Sequence, residues 1–317
     1  MIYYPGKIYT PEFITGVLRI LHNLKVTRKN SESLSGLLAG GSAFLIWGLV
    51  PIFYKIISHV PAHETISHRI VWSFIFLVPV LLLQGQWKVF INTFKSFKTI
   101  IWLFVTALLV ASNWFLFIWA INNDLILQAS LGYYINPLVN VFLGVLFLQE
   151  RLRTFQIAAV IIAATGVLYL TWQYGSFPYI AVVLAVTFGL YGLIRKKLNL
   201  NSAVGLAIET LILTVPGIAY LLWLETTGTA SFLHINYTTD AFLICTALVT
   251  ALPLLLFNIG VRRLKLSTVG FLQYIGPSGM FALAVFVFKE PLSVHQLIAF
   301  VFIWTALAVY TVDSIRG

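Results

Sequence analysis

The chain contains two copies of one unit, related by a constant offset of 140 residues. The matches continue through three apolar segments without a gap. Such a repeat predicts two similar structural units within one chain. If each unit crosses a membrane an odd number of times, the two copies face in opposite directions. The identical pairs are Thr106-Ala107-Leu108 with Thr246-Ala247-Leu248, Leu116-Phe117 with Leu256-Phe257, Tyr134-Ile135 with Tyr274-Ile275, Pro137 with Pro277, Glu150 with Glu290, Leu152 with Leu292, and Gln156 with Gln296.

The composition excludes a soluble protein. Apolar residues make up 60% of the chain and charged residues only 9%, whereas a soluble domain is about one quarter charged. Lipid must therefore be the solvent for most of the chain. The net charge of +10 does not indicate nucleic-acid binding, because the basic residues form short clusters between apolar segments. Cys245 is the only cysteine, which excludes an intramolecular disulfide and a CxxC metal site.

Ten apolar segments are each near the ~20 residues that a helix needs to cross the hydrocarbon core. In a bilayer they must be helical, because no water is present to bond an open backbone. The predicted spans are Ser35–Ile57, His68–Gln84, Thr99–Trp119, Leu125–Leu148 and Thr154–Trp172 in the first copy, and Pro178–Ile194, Ala203–Leu224, Thr239–Gly260, Leu266–Phe288 and Val294–Val312 in the second.

Basic residues divide unequally between alternate loops. One set of loops and tails carries 17 of the 20 basic residues, and the other set has only Lys55, Arg69 and Lys289. The positive-inside rule places the rich set, and with it both termini, in the cytoplasm. The rich set comprises Lys7, Arg19, Lys25, Arg28, Lys29, Lys88, Lys95, Lys98, Arg151, Arg153, Arg195, Lys196, Lys197, Arg262, Arg263, Lys265 and Arg316.

These spans divide the chain into three parts. Residues 1–34 are predicted to be a cytoplasmic tail with an interfacial helix around Phe13–Leu24; a misassigned start codon is the alternative. Residues 35–173 and 174–317 form the two repeats. Five spans per repeat is an odd number, so the repeats are predicted to be inverted. Glu150 and its partner Glu290 then lie on opposite sides of the membrane.

Several stretches resemble the drug/metabolite transporter superfamily, and within it the ten-helix EamA-domain permeases of the RarD type. The resemblance covers nearly everything from Ser35 to Asp313. It implies an all-α, polytopic inner-membrane permease of two inverted five-helix repeats, and it leaves the physiological substrate open. The tail before Ser35 is longer than is usual in the family. The stretches are Trp47–Lys55, Val60–Ser73, Asn113–Asn122, Ser130–Gly144, Leu148–Leu152 and Phe271–Pro277.

Span four holds the densest group of polar residues expected inside the membrane. Tyr133, Asn136 and Asn140 are spaced by three and four residues and so share one helix face. Pro137 lies among them and leaves the carbonyl near Tyr133 without its helical partner. This face is predicted to line a central cavity. The alternative is a hydrogen-bond cluster that only holds helices together.

The equivalent face of the second repeat differs in chemistry. Gln273, Gly276 and Met280 replace the tyrosine and the two asparagines, whereas Tyr274 and Pro277 repeat Tyr134 and Pro137. Both repeats therefore share a kink but present different groups, as an asymmetric solute between them requires. Each further candidate for the lining has an interfacial or packing role as its alternative. These candidates are Trp47, Asn113, Trp114, Tyr191 and Asn258.

Two acids are candidates for coupling or gating. Glu64 precedes the predicted second span, and Glu209 lies inside span seven. They are predicted to be approximate repeat partners. Glu64 has a simpler explanation in the dipole of its helix, and His63, His68 and Arg69 are near enough in sequence to pair with it. Glu209 could carry a coupling proton, or it could bond a neighbouring helix and fix the fold. Lys55, Pro137 and Pro277 complete the predicted coupling and gating group.

No GxSxG, HExxH or Walker sequence occurs, so an enzyme is not expected, nor is a cofactor or metal. The sequence predicts a permease that exports a small amphipathic metabolite, amino acid or drug-like solute by alternating access. The expected partners are that solute and the bilayer, with possible proton coupling and a monomeric or homodimeric state. A phosphorylated or nucleotide-sugar solute is the alternative, which needs Lys55 or Arg69 in the cavity. A membrane-embedded enzyme or a non-transporting receptor is a further alternative.

Overall fold

The computed structural model describes residues 11–122, 126–175, 177–287 and 294–316, and all regular structure in these ranges is helical. Local signals set several helix ends: Asn201 accepts N–H bonds from Ala203 and Val204 at the start of α8, and Gly175 ends α6 with a φ of 78°. The helices are α1 (Pro11–Ile56), α2 (Ala62–Leu83), α3 (Trp87–Thr93), α4 (Phe97–Asn122), α5 (Ile126–Leu148), α6 (Thr154–Tyr174), α7 (Tyr179–Leu198), α8 (Ser202–Thr226), α9 (Tyr237–Arg263), α10 (Leu266–Gln273), α11 (Ile275–Ala282) and α12 (Val294–Arg316).

Ten candidate membrane spans are present in these described ranges, which confirms the predicted number. They are α1, α2, α4 to α9, the combined α10–α11 segment, and α12. The first span is Glu32–Ile56, close to the predicted start at Ser35, and the part of α1 before it continues from Pro11 in the same helix. The predicted start of span four at Leu125 and end of span nine at Phe288 lie outside the described residues, as do Lys289 and Glu290.

Two predicted helix limits are wrong. α2 begins at Ala62, six residues before His68, because the polar groups of its first turns find partners: Ser67 donates to the carbonyl of His63 at 3.0 Å. α7 continues to Leu198 and does not end at Ile194. Arg195 therefore belongs to a spanning helix and not to a loop.

The two prolines that match across the repeat have different effects. α5 runs through Pro137 without a break. In the second repeat, Tyr274 separates α10 from α11, because Pro277 has no N–H to bond the carbonyl of Gln273. A π-helical turn, Leu283–Val287, follows α11. The equivalent spans therefore share the proline but not the same backbone path.

The 140-residue offset holds at the helix starts. Ala62 and Ser202 begin α2 and α8, and Phe97 and Tyr237 begin α4 and α9. Glu64 and Glu209 would be repeat partners only if a short insertion separated the two copies. The constant offset excludes such an insertion, so that prediction is wrong. The residue equivalent to Glu209 is Arg69.

The repeats interleave, and the densest helix contacts run between them: α1 with α9, α2 with α8, α5 with α7, and α6 with α12. Glycines permit the closest approaches, since a Cβ on Gly260 would lie 3.1 Å from the Cα of Gly40. Equivalent helices run antiparallel, because Glu64 in the first turn of α2 bonds Ser231 in the loop that follows α8. The two repeats are inverted, as the sequence predicts.

The helix bundle has two chemically different ends. We call the basic end the one where α7 and α9 finish and α8 and α10 begin; there the Lys196 ammonium donates to the carbonyls of Val261 (3.0 Å) and Leu264. The far end is the opposite one, where α1 finishes, α2 begins, and the 227–236 loop lies.

Candidate functional site

A cavity of about 370 Å³ lies between the two repeats. Its wall combines residues of α1, α2, α4 and α5 with residues of α7, α9, α10 and α11. Tyr54, Arg69 and Phe117 each lie within two turns of the far-end terminus of their helix. The cavity therefore extends from the centre of the bundle toward the far end.

The structure brings together many of the residues that the sequence predicts for the cavity. Both repeats contribute, and the second adds Pro277, Gly276 and Met280 to the wall. The predicted binding residues on the wall are Trp47, Asn113, Trp114, Tyr133, Asn136 and Gln273.

Amide groups on the wall also join helices. The Asn113 amide donates to the carbonyl of Leu184 at 2.8 Å, and the Asn136 amide donates to that of Ala185 at 3.0 Å. Both acceptors belong to α7, so α4 and α5 of the first repeat are held against the second. The two interpretations of the asparagine face, cavity wall and interhelical bonding, therefore describe the same residues.

Asn140 lies outside the residues that line the cavity and is fully buried. Its amide donates to Asn136 Oδ1 at 3.1 Å and to Gln273 Oε1 at 2.7 Å. Asn140 thus holds two wall residues, one from each repeat. Tyr274 is also away from the wall, with its hydroxyl 3.4 Å from the carbonyl of Tyr134.

A buried ion pair closes the bundle between the cavity and the basic end. Arg195 Nη1 lies 3.6 Å from Glu209 Oε1, and the two side chains are 2% and 1% exposed. Thr106 donates to Glu209 at 2.6 Å and Tyr191 donates to it at 3.3 Å. Asn258 accepts from Arg195 Nε at 3.2 Å and donates to Tyr191 at 3.0 Å. Predicted binding residues Tyr191 and Asn258 therefore belong to this network and not to the cavity wall.

Arg195 fits there because α8 carries a glycine beside it. A Cβ on Gly205 would overlap the Arg195 guanidinium. The guanidinium also donates to the carbonyl of Ser202 at 3.1 Å, at the start of α8. Glu209 is thus packed among α4, α7, α8 and α9, which makes the network a junction of both repeats.

A second carboxylate closes the basic end by another route. Glu150, which follows α5, accepts the backbone N–H bonds of Leu266 at 2.6 Å and Ser267 at 3.0 Å. It also accepts the Ser267 hydroxyl at 2.8 Å. Exposed N–H groups at a helix start favour a negative charge, so Glu150 ties the end of α5 to the start of α10.

Two further predicted gating residues, Glu64 and Lys55, lie at the far end. Glu64 does not pair with Arg69; its Oε1 accepts backbone N–H bonds from Ser231 at 2.7 Å and Phe232 at 3.2 Å. His68 lies 3.9 Å from the same carboxylate. Lys55 lies in the last turn of α1. Glu64 therefore fixes the loop after α8 and is not on the cavity wall.

Arg69 also lies on the wall, although it was predicted there only for a phosphorylated or nucleotide-sugar solute and was missed as a general binding residue. Its Nε donates to Thr250 Oγ1 at 3.0 Å, and its Cζ lies 4.2 Å from the ring centroid of Trp114. Arg195 was likewise missed, because it was assigned to a loop. The signal for both was the 140-residue offset, which aligns Arg69 with Glu209 and Lys55 with Arg195.

Comparisons with known proteins agree with this architecture. Residues 34–172 match the EamA-like transporter family. The chain is 45% identical over 292 residues to an uncharacterized transporter of Vibrio cholerae, covering 92% of this chain and 97% of that protein. It is 43% identical over 284 residues to Protein RarD of Escherichia coli strain K12, covering 90% and 96%.

A solved crystal structure shows the same fold at 18% identity, with a TM-score of 0.69 over 90% of this chain and 99% of the other. The ten apolar helices and these relatives make this chain a multi-pass membrane protein. The chain belongs to the EamA-like transporter family, as a permease of the RarD type.

Proposed function

We propose that the protein moves a small solute across the membrane by alternating access between its two inverted repeats. The observation that supports this proposal is the position of the cavity, which lies between the repeats and extends toward the far end, while the buried Arg195–Glu209 pair lies nearer the basic end. Inverted repeats give two related states when one repeat rocks against the other around a central site. The state described is closed at the basic end.

The basic end faces the cytoplasm in this proposal, because cytoplasmic loops of membrane proteins are enriched in Lys and Arg. Both termini are then cytoplasmic, and the membrane is the inner membrane. The cavity extends outward. The proposed net movement is outward, and because described residues of both repeats of one chain line the cavity, each chain is proposed to carry its own transport site in a monomer or homodimer.

The solute is a small amphipathic metabolite, amino acid or drug-like molecule. Aromatic side chains and amides dominate the wall, among them Trp47, Trp114 and Tyr133. Such walls suit a molecule with an apolar body and a few polar groups. The protein acts as a carrier and catalyses no covalent chemistry.

Arg69 on the wall favours a second candidate, a phosphorylated or nucleotide-sugar solute. A guanidinium binds a phosphate well. However, Arg69 is the one charged side chain among the described lining residues, and a phosphate monoester carries nearly two negative charges. The excess charge would be costly in a partly desolvated cavity. The amphipathic solute is therefore the preferred candidate.

Glu209 is the proposed carrier of a coupling proton. A proton on this carboxylate would remove the charge that holds Arg195, and the basic end would be free to open. A ligand or proton that binds two states unequally shifts the equilibrium between them. The role of Glu209 in closing the bundle and a role in coupling are therefore compatible.

A reversible lock tests the proposal. In a Cys245→Ser background, Gly144→Cys and Leu266→Cys can be joined at the basic end, since a Cβ on Gly144 would lie 3.3 Å from the Leu266 Cβ, close to the disulfide range of about 3.5–4.5 Å. The same Cβ would lie 2.7 Å from Glu150 Oε2, so the carboxylate must shift, and the reduced double variant is the reference for flux. Purified protein in liposomes is screened for flux of a mixed panel of amino acids, aryl acids and amphenicols. Flux should stop on oxidation and return on reduction. Equal flux in both conditions would rule out alternating access at this end.

A further inference from the structure

Arg69 leaves most of its hydrogen-bonding capacity facing the cavity. A guanidinium has five N–H donors, and only the one on Nε is used, by Thr250 at 3.0 Å. The terminal nitrogens donate to no acceptor within the described residues. The Cζ atom lies 4.2 Å from the Trp114 ring centroid, a cation–π contact that holds the guanidinium against the wall. A planar pair of terminal N–H groups matches the two oxygens of a carboxylate.

Arg69 forms no ion pair with a carboxylate of the described residues. The described carboxylates that form ion pairs do so with His68, Arg153, Arg195 and His234, and none of them pairs with Arg69. Arg69 is half-buried on a wall that contains no acidic side chain among its described residues. A partly desolvated cation gains most from an anion brought by the solute.

The repeat gives the same result by a separate route. Arg69 occupies the position of Glu209, and Lys55 occupies the position of Arg195. At the basic end these two positions carry opposite charges, which pair at 3.6 Å and close the bundle. At the far end both positions carry a positive charge. The position equivalent to Glu209 therefore places a cation on the cavity wall, where its repeat partner is a carboxylate.

The rest of the cavity wall disfavours a solute that carries a second charged group in addition to the one bound by Arg69. Trp47, Phe117, Phe188 and Met280 surround the space beside Arg69 with apolar surface. A free ammonium group would find no carboxylate on the described wall, and burying it unpaired would be costly. Resting on the proposed transport function, we propose that the solute is a monocarboxylate with an aromatic or aliphatic body and no free amino group, bound through Arg69.

Binding of four probes of similar shape tests this assignment without measuring flux. The probes are 3-phenylpropionate, its neutral amide 3-phenylpropionamide, the amine 3-phenylpropylamine and the zwitterion phenylalanine. Each is titrated by calorimetry into the purified full-length protein in lipid nanodiscs. Because a bidentate bond to a charged group is stronger than a neutral one, we expect 3-phenylpropionate to bind at least ten-fold more tightly than the other three.

Variants of Arg69 and of its neighbour identify the group responsible. Arg69→Gln should abolish the preference for the acid over the amide. Arg69→Lys should retain part of this preference, because lysine keeps the positive charge but cannot form the bidentate bond to a carboxylate. Thr250→Val removes the hydroxyl that accepts the Arg69 Nε–H bond, and it should weaken the binding of 3-phenylpropionate more than the binding of the amide. Thr165→Val, the same substitution at an exposed position of α6 that does not line the cavity, should retain the preference.

Three results would overturn the assignment: no binding of 3-phenylpropionate at millimolar concentration, equal or tighter binding of the amide, amine or zwitterion, or an undiminished acid preference in Arg69→Gln. These results leave alternating access intact if the Gly144→Cys/Leu266→Cys lock stops panel flux. The opposite combination is also informative. If the preference for the acid depends on Arg69 but flux is insensitive to the lock, the binding site is supported and the proposed transport cycle is wrong.

Discussion

Arg69 and Glu209 occupy the same position in the two inverted repeats: each lies seven residues after the first residue of its helix, Ala62 in α2 and Ser202 in α8. Both side chains are therefore roughly 10 Å from the start of a helix that rises 1.5 Å per residue. Glu209 has a protein counter-charge in Arg195, whereas Arg69 faces the cavity. The same position of the repeat therefore carries a member of a buried ion pair in one half of the bundle, Glu209, and a cavity-wall cation in the other half, Arg69.

The fit of Arg195 against Gly205 gives the first prediction. Gly205→Ala should displace the guanidinium from Glu209, because the new methyl group overlaps it. Breaking a buried ion pair costs about 3–5 kcal/mol, which thermal unfolding in detergent would detect. Gly217→Ala is the matched control on α8, where the added Cβ would meet Val71 at 3.5 Å, an ordinary contact. Similar unfolding temperatures for both variants would show that the pair contributes little.

The bonds of Asn140 give the second. Asn140→Leu should leave Gln273 Oε1 without its 2.7 Å donor and lower stability by about 1–3 kcal/mol. Asn136→Leu removes a wall amide and its bond to α7, and should mainly reduce or shift flux. Both variants should insert normally, because each makes α5 more apolar. If liposome flux shows an unchanged substrate range for both variants, the asparagine face serves only in helix packing.

Much of this site could be predicted from the sequence. Spacing of three and four residues identified Tyr133 and Asn136 as wall residues, because helical periodicity is a local property. The ten apolar segments predicted the number of spans, and the 17-to-3 division of basic residues predicted their orientation, because length, composition and charge can be read from each segment by itself. A kink was predicted at both prolines, but only the second repeat is interrupted, at Tyr274; α5 runs through Pro137 without a break.

The ion pair could not be found by counting from predicted helix limits. Taking α2 to start at His68 placed Glu64 outside the helix, and a short insertion between the copies was assumed in order to match Glu64 with Glu209. The true start depends on a long-range contact, the bond from Ser231 to Glu64. Burial of Arg195 likewise depends on space provided by Gly205 on another helix. Neither contact is encoded in a local pattern.

Topology gives the third prediction. Single cysteines at Gln84, Lys197 and Thr229 are exposed positions for labelling, and the background must be Cys245→Ser because Cys245 is itself exposed. With the basic end in the cytoplasm, a membrane-impermeant thiol reagent added to intact cells should label only Thr229→Cys. If Lys197→Cys and Thr229→Cys label alike, the proposed orientation of the second repeat is wrong.

The most direct test of alternating access follows one cavity residue from both sides of the membrane. Met280→Cys, in the Cys245→Ser background, places a thiol on the wall. Right-side-out and inside-out vesicles are treated with an impermeant thiol reagent, with and without Glu209→Gln, which keeps the side-chain shape but removes the charge that holds Arg195. We expect labelling from the far side when Glu209 is present, and increased labelling from the basic side with Glu209→Gln. Labelling from the same side in both proteins would contradict a basic-end gate controlled by Arg195 and Glu209.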